Sequence, residues 1–134
     1  MPSWPIEQIP GKAKLFLRVH CRLVPHGLHP GIFREQGNSM SVDWGKYSTP
    51  EESRRRATSP AENGIVVLIA DGVRAIEDLQ VTHDPDSIRN NRAHSGVRGI
   101  SDPLSNPDVR KTRVRLKLFH EFNAWLIPPD APVT

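Results

Sequence analysis

The most hydrophobic run of the chain, Gly64 to Ala70, sets the strongest constraint on its fold. All seven side chains of this run are apolar or absent, and a membrane span would take about 20 such residues. A short, β-branched, apolar segment followed by a turn is typical of a strand that is buried on both faces. Residues 14–24 alternate between apolar and mostly polar side chains, which predicts a second strand with one buried face. We therefore expect a sheet built around residues 64–70.

Two helices are indicated by their start signals. In Thr49-Pro50-Glu51-Glu52, threonine can cap the helix, proline suits its first position and Glu52 completes a capping box. This helix is short, because Ser59-Pro60 follows. A longer helix is predicted from Asn106 to about Trp125, ended by Pro128-Pro129. One face of this longer helix would carry Leu116, Phe119, Asn123 and Leu126, with Leu118, Phe122 and Trp125 beside it.

The remaining elements are short. Residues 40–44 and 79–82 are predicted strands, and residues 73–79 form a predicted short helix. Together these segments indicate an α+β fold: a small mixed, partly antiparallel sheet with the C-terminal helix packed on it. The chain of 134 residues suits a single domain, and its 13 prolines indicate long Pro-rich loops. Residues 1–13 and 127–134 are expected to be extended, Pro-rich termini.

Composition excludes several classes of protein. Cys21 is the single cysteine, so the chain cannot form an internal disulfide, and a buried thiol is expected there. No membrane span and no secretion signal are evident, which favours a soluble cytoplasmic protein. Arginines number 13 against five lysines, and the net charge is +3. Arginine suits phosphate and carboxylate partners, but a GC-rich genome, which favours arginine codons and scatters arginine over solvated faces, would give the same composition.

A polar stretch, residues 81–99, is the strongest candidate for a functional segment. It holds two histidines, three arginines, two aspartates, two asparagines and two serines, and it follows the predicted central strand. Loops that extend from buried strands often carry binding and catalytic groups. His83 and His94 could transfer protons or contact phosphate, with Arg89, Arg92 and Arg98 holding an anion. Alternatively, residues 83–86 form an ordinary turn and His94 caps the next strand.

A second candidate pair lies on the first predicted strand. Arg18 and His20 share the face opposite its apolar residues, so they could line a cleft, or they could lie on a solvated edge. Metal binding is not expected, because no group of His, Cys, Asp and Glu has a known ligand spacing. A phosphate-binding loop and the Gly-x-Ser-x-Gly motif of serine hydrolases are also absent from the sequence.

Two segments near the N-terminus, Leu15-Phe16-Leu17-Arg18-Val19-His20 and residues 47–57 (YSTPEESRRRA), resemble the opening of small bacterial ADP-ribosyltransferase-like domains. The resemblance covers about the first 57 residues, and the family's late-strand glutamate has no clear counterpart. It implies that Arg18 or His20 contacts NAD and that Tyr47 and Ser48 line the nicotinamide end of the pocket. The segments Met40-Ser41-Val42 and residues 93–99 (AHSGVRG) also resemble segments of other small bacterial proteins.

Two functions remain open at this point. The first is a site for a nucleotide or NAD, and the resemblance implies an ADP-ribosyltransferase-like role with NAD as the cofactor. Its catalytic candidates are His94 and His20, and its binding candidates are Arg18, Tyr47, Ser48, His83 and Arg92. The second is a non-catalytic module of a larger bacterial assembly. Its basic helix would bind an acidic protein or nucleic acid through Arg110, Lys111, Arg113 and Lys117.

Overall fold

A computed structural model of the chain describes residues 4–130, and a six-stranded sheet forms their centre. The strands are β1 (Lys14–His20), β2 (Ser39–Trp44), β3 (Asn63–Ile69), β4 (Gln80–His83), β5 (His94–Arg98) and β6 (Trp125–Ile127). They lie in the order β4-β5-β2-β1-β3-β6, and all five neighbouring pairs are antiparallel. Each of the four strands predicted from the sequence overlaps one of these strands, within one residue at the start of β2 and β3 and at the end of β4.

Three α-helices accompany the sheet: α1 (Pro50–Arg55), α2 (Ala70–Arg74) and α3 (Val109–Glu121). The predicted capping box of α1 is confirmed, because Thr49 Oγ accepts from the Glu52 amide and the Glu52 carboxylate accepts from the Thr49 amide. Short 3-10 turns cover Cys21–Leu23, Pro30–Ile32 and Pro60–Glu62. The α+β class predicted from the sequence is therefore confirmed. Within residues 4–130, no helix has the length and apolar character needed to cross a membrane.

The main core lies on one face of the sheet. Leu15 and Leu17 of β1 pair with Leu68 and Val66 of β3 and share this face with them. Apolar residues of β2, β4 and β5 extend the same face, and Val114 and Leu118 of α3 are fully buried in the same cluster. Cys21 is buried near the end of β1, as expected for an inert thiol.

The first strand is shorter than the sequence predicts. β1 ends at His20, whereas the alternating pattern continues to Val24. The His20 side chain explains the difference, because its Nδ1 accepts a hydrogen bond from the Arg22 amide and caps the turn Cys21–Leu23. This local hydrogen bond turns the chain at a point where the alternation of side chains alone predicts that the strand continues.

The last helix is also shorter, and its predicted face is only partly confirmed: Leu118 and Phe119 pack on the core, but Leu116 does not. α3 spans Val109–Glu121, so Trp125 lies in β6 and not in the helix. The helix packs through Val114 and Leu118, while Leu116 is 55% exposed. Trp125 pairs with β3 and its indole ring lies over Gly64. The ring fits there because Gly64 has no side chain, and it occupies the space that a Cβ would fill.

Two smaller predictions also need correction. The short helix predicted at 73–79 is α2, Ala70–Arg74, and the left-handed backbone of Glu77 and Asp78 follows it. The extended C-terminal segment predicted at 127–134 begins inside β6, since Ile127 pairs with β3. The predicted N-terminal extension lacks helix and strand from residue 4 to Ala13, although Ile9 is buried in the core. Residues 1–3 and 131–134 lie outside the described part of the chain.

Leu68→Ala is expected to lower the free energy of unfolding by roughly 2 to 5 kcal/mol, because Leu68 is fully buried between β1 and the core. Urea unfolding monitored by circular dichroism measures this loss. Leu116→Ala is the matched control, since its exposed side chain should contribute less than about 0.5 kcal/mol. Equal losses for the two variants would show that the assigned core is wrong.

Candidate functional site

The sheet is split between β1 and β2. Strand β1 pairs with β3 along its whole length, and β2 pairs with β5 at five positions. Pairing of β1 with β2 within the described residues is limited to Leu15 with Trp44 and Phe16 with Asp43. Beyond Phe16 the two strands separate, so backbone groups in the middle of the sheet face an opening.

A cleft of about 770 Å³ occupies this opening. β1 contributes Arg18 and His20, β2 contributes Ser41, and β5 contributes His94. Its other charged lining residues are Arg34, Glu35, Arg56, Asp86 and Arg89. Four arginines therefore face two carboxylates, and the volume lies in the range of about 300 to 1,000 Å³ that is common for small-molecule sites.

The Asp43 carboxylate lies at the closed end of the split and is 2% exposed. Its Oδ2 accepts from Arg18 Nη1 at 2.9 Å, from Arg56 Nη1 at 3.0 Å and from Ser53 Oγ at 2.6 Å. Its Oδ1 accepts from Asn91 Nδ2 at 2.9 Å. We call this set of five residues the Asp43 cluster. It compensates a buried charge that would otherwise be very costly.

The same contacts orient two arginines toward the cleft. Arg18 is held through Nη1, which also donates to the Ser53 carbonyl at 3.1 Å. Arg56 is likewise held through Nη1, which donates to Ser48 Oγ at 2.9 Å. A guanidinium has five N–H donors, so each arginine keeps donors for a ligand while its position is fixed. Ser48, predicted to bind a cofactor, contacts Arg56 but does not itself line the cleft.

His94 contacts both a neighbouring strand and the loop before it. Its Nδ1 lies 2.8 Å from the Asp84 carbonyl oxygen, and its Nε2 lies 3.2 Å from Ser41 Oγ. Because a carbonyl can only accept, Nδ1 carries a proton, and neutral His94 presents a lone pair on Nε2 to Ser41. Its side chain is 24% exposed. His94 is therefore positioned to accept a proton in the cleft.

His20 lines another part of the same cleft. Its Nδ1 accepts from the Arg22 amide, and its Nε2 lies 2.9 Å from Glu62 Oε2. The hydrogen bond from His20 holds the pKa of Glu62 below its usual value. Phe16, Asp43 and His94 lie opposite one another on neighbouring strands. His20 follows Phe16 by four residues, so it lies roughly 13 Å farther along β1 than the position opposite His94. The two predicted catalytic histidines therefore cannot act on the same proton transfer.

His83 lies on the opposite face of the sheet. It pairs with Ser95, which pairs with the core residue Val42, and residues opposite one another share a face. His83 is 2% exposed, accepts from the Glu7 amide at Nδ1 and donates to the Arg92 carbonyl through Nε2. Both ring nitrogens are thus used inside the fold, which gives His83 a structural role. The polar stretch 81–99 is a hairpin of β4 and β5 whose two histidines diverge.

Tyr47 and Arg92 join His83 in this second cluster. The Tyr47 ring stacks on His83 with centroids 5.9 Å apart, and the Arg92 guanidinium lies 4.1 Å from the Tyr47 centroid. Tyr47 OH and Lys46 Nζ both donate to the Glu7 carboxylate, and these bonds, chiefly that of Lys46, hold the pKa of Glu7 below its usual value. Tyr47, His83 and Arg92 are absent from the cleft lining, so the structure divides the predicted site residues into two groups.

The sequence indicated Arg18, His20 and His94, but it did not indicate several other residues that build the cleft. Asp43 is a charged residue between Val42 and Trp44, and a carboxylate inside an otherwise apolar strand is the feature that could have indicated it. Ser41, Arg56 and Asn91 are ordinary surface residue types, and the sequence contains no feature that distinguishes them. Their roles arise from strand register and from the position of α1.

The basic helix α3 pairs with a carboxylate of the same chain. Glu77 contacts Arg113 at 2.6 Å, Lys117 at 3.1 Å and Arg110 at 3.3 Å. The hydrogen bonds from Arg113, followed by that from Lys117, lower the pKa of Glu77 to about 2. Three of the four residues predicted to bind an acidic partner are thus engaged internally.

An open apolar groove of about 620 Å³ lies outside the cleft and is bordered by Lys12, Lys14 and Lys46, with Phe16 and Trp44 in its lining. It brings together no set of polar groups suited to chemistry. Among residues 4–130, no three His, Cys, Asp or Glu side chains form a group that could hold a metal ion. Comparison of the chain with protein-family models, curated proteins and solved structures gave no match.

Asp43→Asn is expected to lower the free energy of unfolding by roughly 1 to 3 kcal/mol, since it removes the charge that Arg18 and Arg56 share and leaves donors facing an amide. Urea unfolding measures the loss. The exposed Asp78→Asn is the control, because asparagine also tolerates the left-handed backbone at φ 60°. A neutral effect of Asp43→Asn would contradict a stabilising Asp43 cluster.

Glu77→Gln is expected to lower the thermal midpoint near pH 7, and this difference should shrink as the pH falls. The folded pKa of about 2 lies below the ordinary value of 4.5, so ionised Glu77 contributes stability above pH 4.5 and loses it toward pH 2. Melting curves of both proteins from pH 7 to 2 measure this trend. A difference that does not change over this range, or one shared by the exposed control Glu121→Gln, would contradict the ion cluster.

Proposed function

We propose that this protein binds a small phosphate-bearing ligand, such as a nucleotide, ADP-ribose or NAD, in the cleft between β1 and β2. The observation that supports this proposal is the convergence of Arg18, Arg34, Arg56 and Arg89 on one cleft of about 770 Å³. Guanidinium groups bind phosphate through paired N–H donors, and such charge-assisted bonds are about twice as strong as neutral ones.

The distribution of carboxylates around the cleft favours an anionic ligand. The Glu35 carboxylate accepts from the Ser101 amide at 2.8 Å, and that of Asp86 accepts from the Arg89 amide at 3.1 Å. Even when the buried Asp43 is included, arginines exceed carboxylates by four to three. A ligand with phosphate groups would balance this excess of positive charge.

Two of the four cleft arginines are held in place before any ligand binds. Arg18 and Arg56 are already fixed by Asp43, so they lose little side-chain freedom when a ligand binds. Arg34 is exposed, and the Arg89 side chain is 83% exposed, so they can adjust to ligands of different length. The cleft therefore combines two arginines held by Asp43 with two exposed ones.

The proposal is limited to binding and does not include transfer of ADP-ribose. In the resemblance noted above, Tyr47 would line the nicotinamide end, but its ring packs against His83 and Arg92 instead. A partner-binding role for α3 is less favoured, because Glu77 engages Arg110, Arg113 and Lys117.

Phosphate-bearing ligands are expected to stabilise the protein against heat, and adenosine is not. A ligand at 100 times its dissociation constant adds about 2.7 kcal/mol, which a thermal-shift assay readily detects. ADP-ribose, NAD, AMP and inorganic phosphate form the test panel, with adenosine as the uncharged control. The proposal fails if no phosphate-bearing compound shifts the midpoint, or if adenosine matches AMP.

Arg34→Gln/Arg89→Gln is expected to weaken binding of the best ligand at least about tenfold in calorimetry, because each charge-assisted bond contributes roughly 1.5 kcal/mol or more. Neither residue belongs to the Asp43 cluster, so the fold should be retained. Arg55→Gln/Lys111→Gln removes the same charge from α1 and α3, outside the cleft. Equal affinity of the two double variants would place the ligand outside the cleft.

A further inference from the structure

Ser41 and His94 form a hydrogen-bonded pair in the wall of the cleft. Ser41 Oγ lies 3.2 Å from His94 Nε2, and both residues line the opening. Ser41 is exposed, so a ligand in the cleft can reach its hydroxyl. A serine within hydrogen-bond reach of a histidine that is itself held by a third group is the arrangement of an activated nucleophile.

The third group is Asp84. Its carbonyl oxygen accepts from His94 Nδ1 at 2.8 Å, and this contact fixes the tautomer that leaves Nε2 free to take the serine proton. The Asp84 carboxylate oxygen Oδ2 lies 3.7 Å from the same nitrogen. A negative charge at this distance favours the imidazolium that forms when the proton moves.

The split sheet provides donors next to the nucleophile. The Trp44 amide donates to the Ala93 carbonyl of the β5 side, so by alternation the amides of Asp43 and Ser41 point toward β1. At Ser41, β1 has already separated, and the Ser41 amide faces the cleft. Arg18 retains unused guanidinium donors on the opposite side. Two such donors can stabilise an oxyanion formed beside Ser41 Oγ.

We infer that Ser41 and His94 catalyse the hydrolysis of esters that carry a phosphate or carboxylate group, an inference that rests on the anion-binding cleft of the proposed function. The anionic group would bind Arg34 and Arg89, and the ester carbonyl would lie at Ser41. In the Gly-x-Ser-x-Gly motif, which the chain lacks, the serine lies on a turn between a strand and a helix. Here the proposed nucleophile lies within strand β2, next to the gap in the sheet.

The reaction balances with water as the only co-reactant. Ser41 Oγ forms a bond to the carbonyl carbon while its proton passes to His94 Nε2. The carbon–oxygen bond to the alcohol breaks, and His94 gives that proton to the leaving oxygen. Water then attacks the acyl-enzyme, its proton passes to His94, and the Ser41 oxygen leaves and is reprotonated. The products are the carboxylic acid and the alcohol.

The first experiment uses an uncharged alkyl fluorophosphonate, which needs no arginine. Ser41 Oγ should attack its phosphorus and displace fluoride, and peptide mass spectrometry should place the adduct on Ser41. Ser41→Ala should abolish the adduct, and His94→Gln should slow labelling at least about 100-fold. Ser39→Ala, on the same face of β2, is the control and should label like the wild type. An adduct elsewhere, no adduct, or undiminished labelling of His94→Gln overturns the inference.

The second experiment tests the substrate class with two 4-nitrophenyl esters, the acetate and the hydrogen succinate. The wild type should hydrolyse the anionic succinate at least about tenfold faster in kcat/KM. Arg34→Gln/Arg89→Gln should lose this preference, and the control Arg55→Gln/Lys111→Gln, outside the cleft, should keep it. Equal rates for the two esters overturn the anionic substrate class. If the fluorophosphonate labels Ser41 but no phosphate-bearing compound shifts the thermal midpoint, only the proposed function is refuted. If phosphate-bearing compounds bind but Ser41 is not labelled, only the esterase activity is refuted.

Discussion

The cleft depends on the buried carboxylate of Asp43. This one buried group accepts bonds from β1 through Arg18, from the α1 region through Ser53 and Arg56, and from the loop before β5 through Asn91. Burial of a lone carboxylate would be prohibitively costly, so the fold must bring these four donors together around Asp43. The cluster therefore fixes the closed end of the split and the directions of both arginines together.

The separation of β1 and β2 above Asp43 leaves backbone groups unpaired, and the remaining strand pairs keep the number of these groups small. Strands that separate inside a sheet expose backbone donors and acceptors, which are open to pairing with another chain. Here β1 keeps its full ladder with β3, and β2 keeps its ladder with β5, so only one edge of each strand is unpaired. Arg18, His20 and Ser41 put polar and charged groups beside these edges, which disfavours insertion of an apolar strand. The same polar groups make the gap suitable for a polar ligand.

Local signals in the sequence were sufficient for much of the fold. The capping box at Thr49, the apolar run from Gly64 and the alternation from Lys14 specify their elements through neighbouring residues, and all three predictions are confirmed. The end of α3 was predicted wrongly because Trp125 packs on Gly64, a contact between residues far apart in the chain. No periodicity within residues 106–125 contains that information.

Candidate site residues were harder to predict, and the two histidines of the polar stretch show why. Both belong to one short hairpin, so their types and spacing suggest a shared site. The register pairs His83 with Ser95 and not with His94, and a shift of one residue in a strand reverses the face. The turn between β4 and β5 sets that register, and its geometry cannot be deduced from composition. Both ring nitrogens of His83 are consequently hydrogen-bonded inside the fold, while His94 lines the cleft.

The arginine excess, ambiguous in the sequence, divides in the structure into two kinds of surface. On α3, Glu77 gathers Arg110, Arg113 and Lys117 around one carboxylate, so much of that charge is compensated within the chain. In the cleft, the arginines outnumber the carboxylates, and the two held by Asp43 retain donors that point away from it. Charge that is held rigidly and left uncompensated binds anions best, because the cost of positioning it is met when the protein folds. The incomplete neutralisation of the cleft therefore favours a ligand, whereas the number of arginines in the chain does not distinguish the two surfaces.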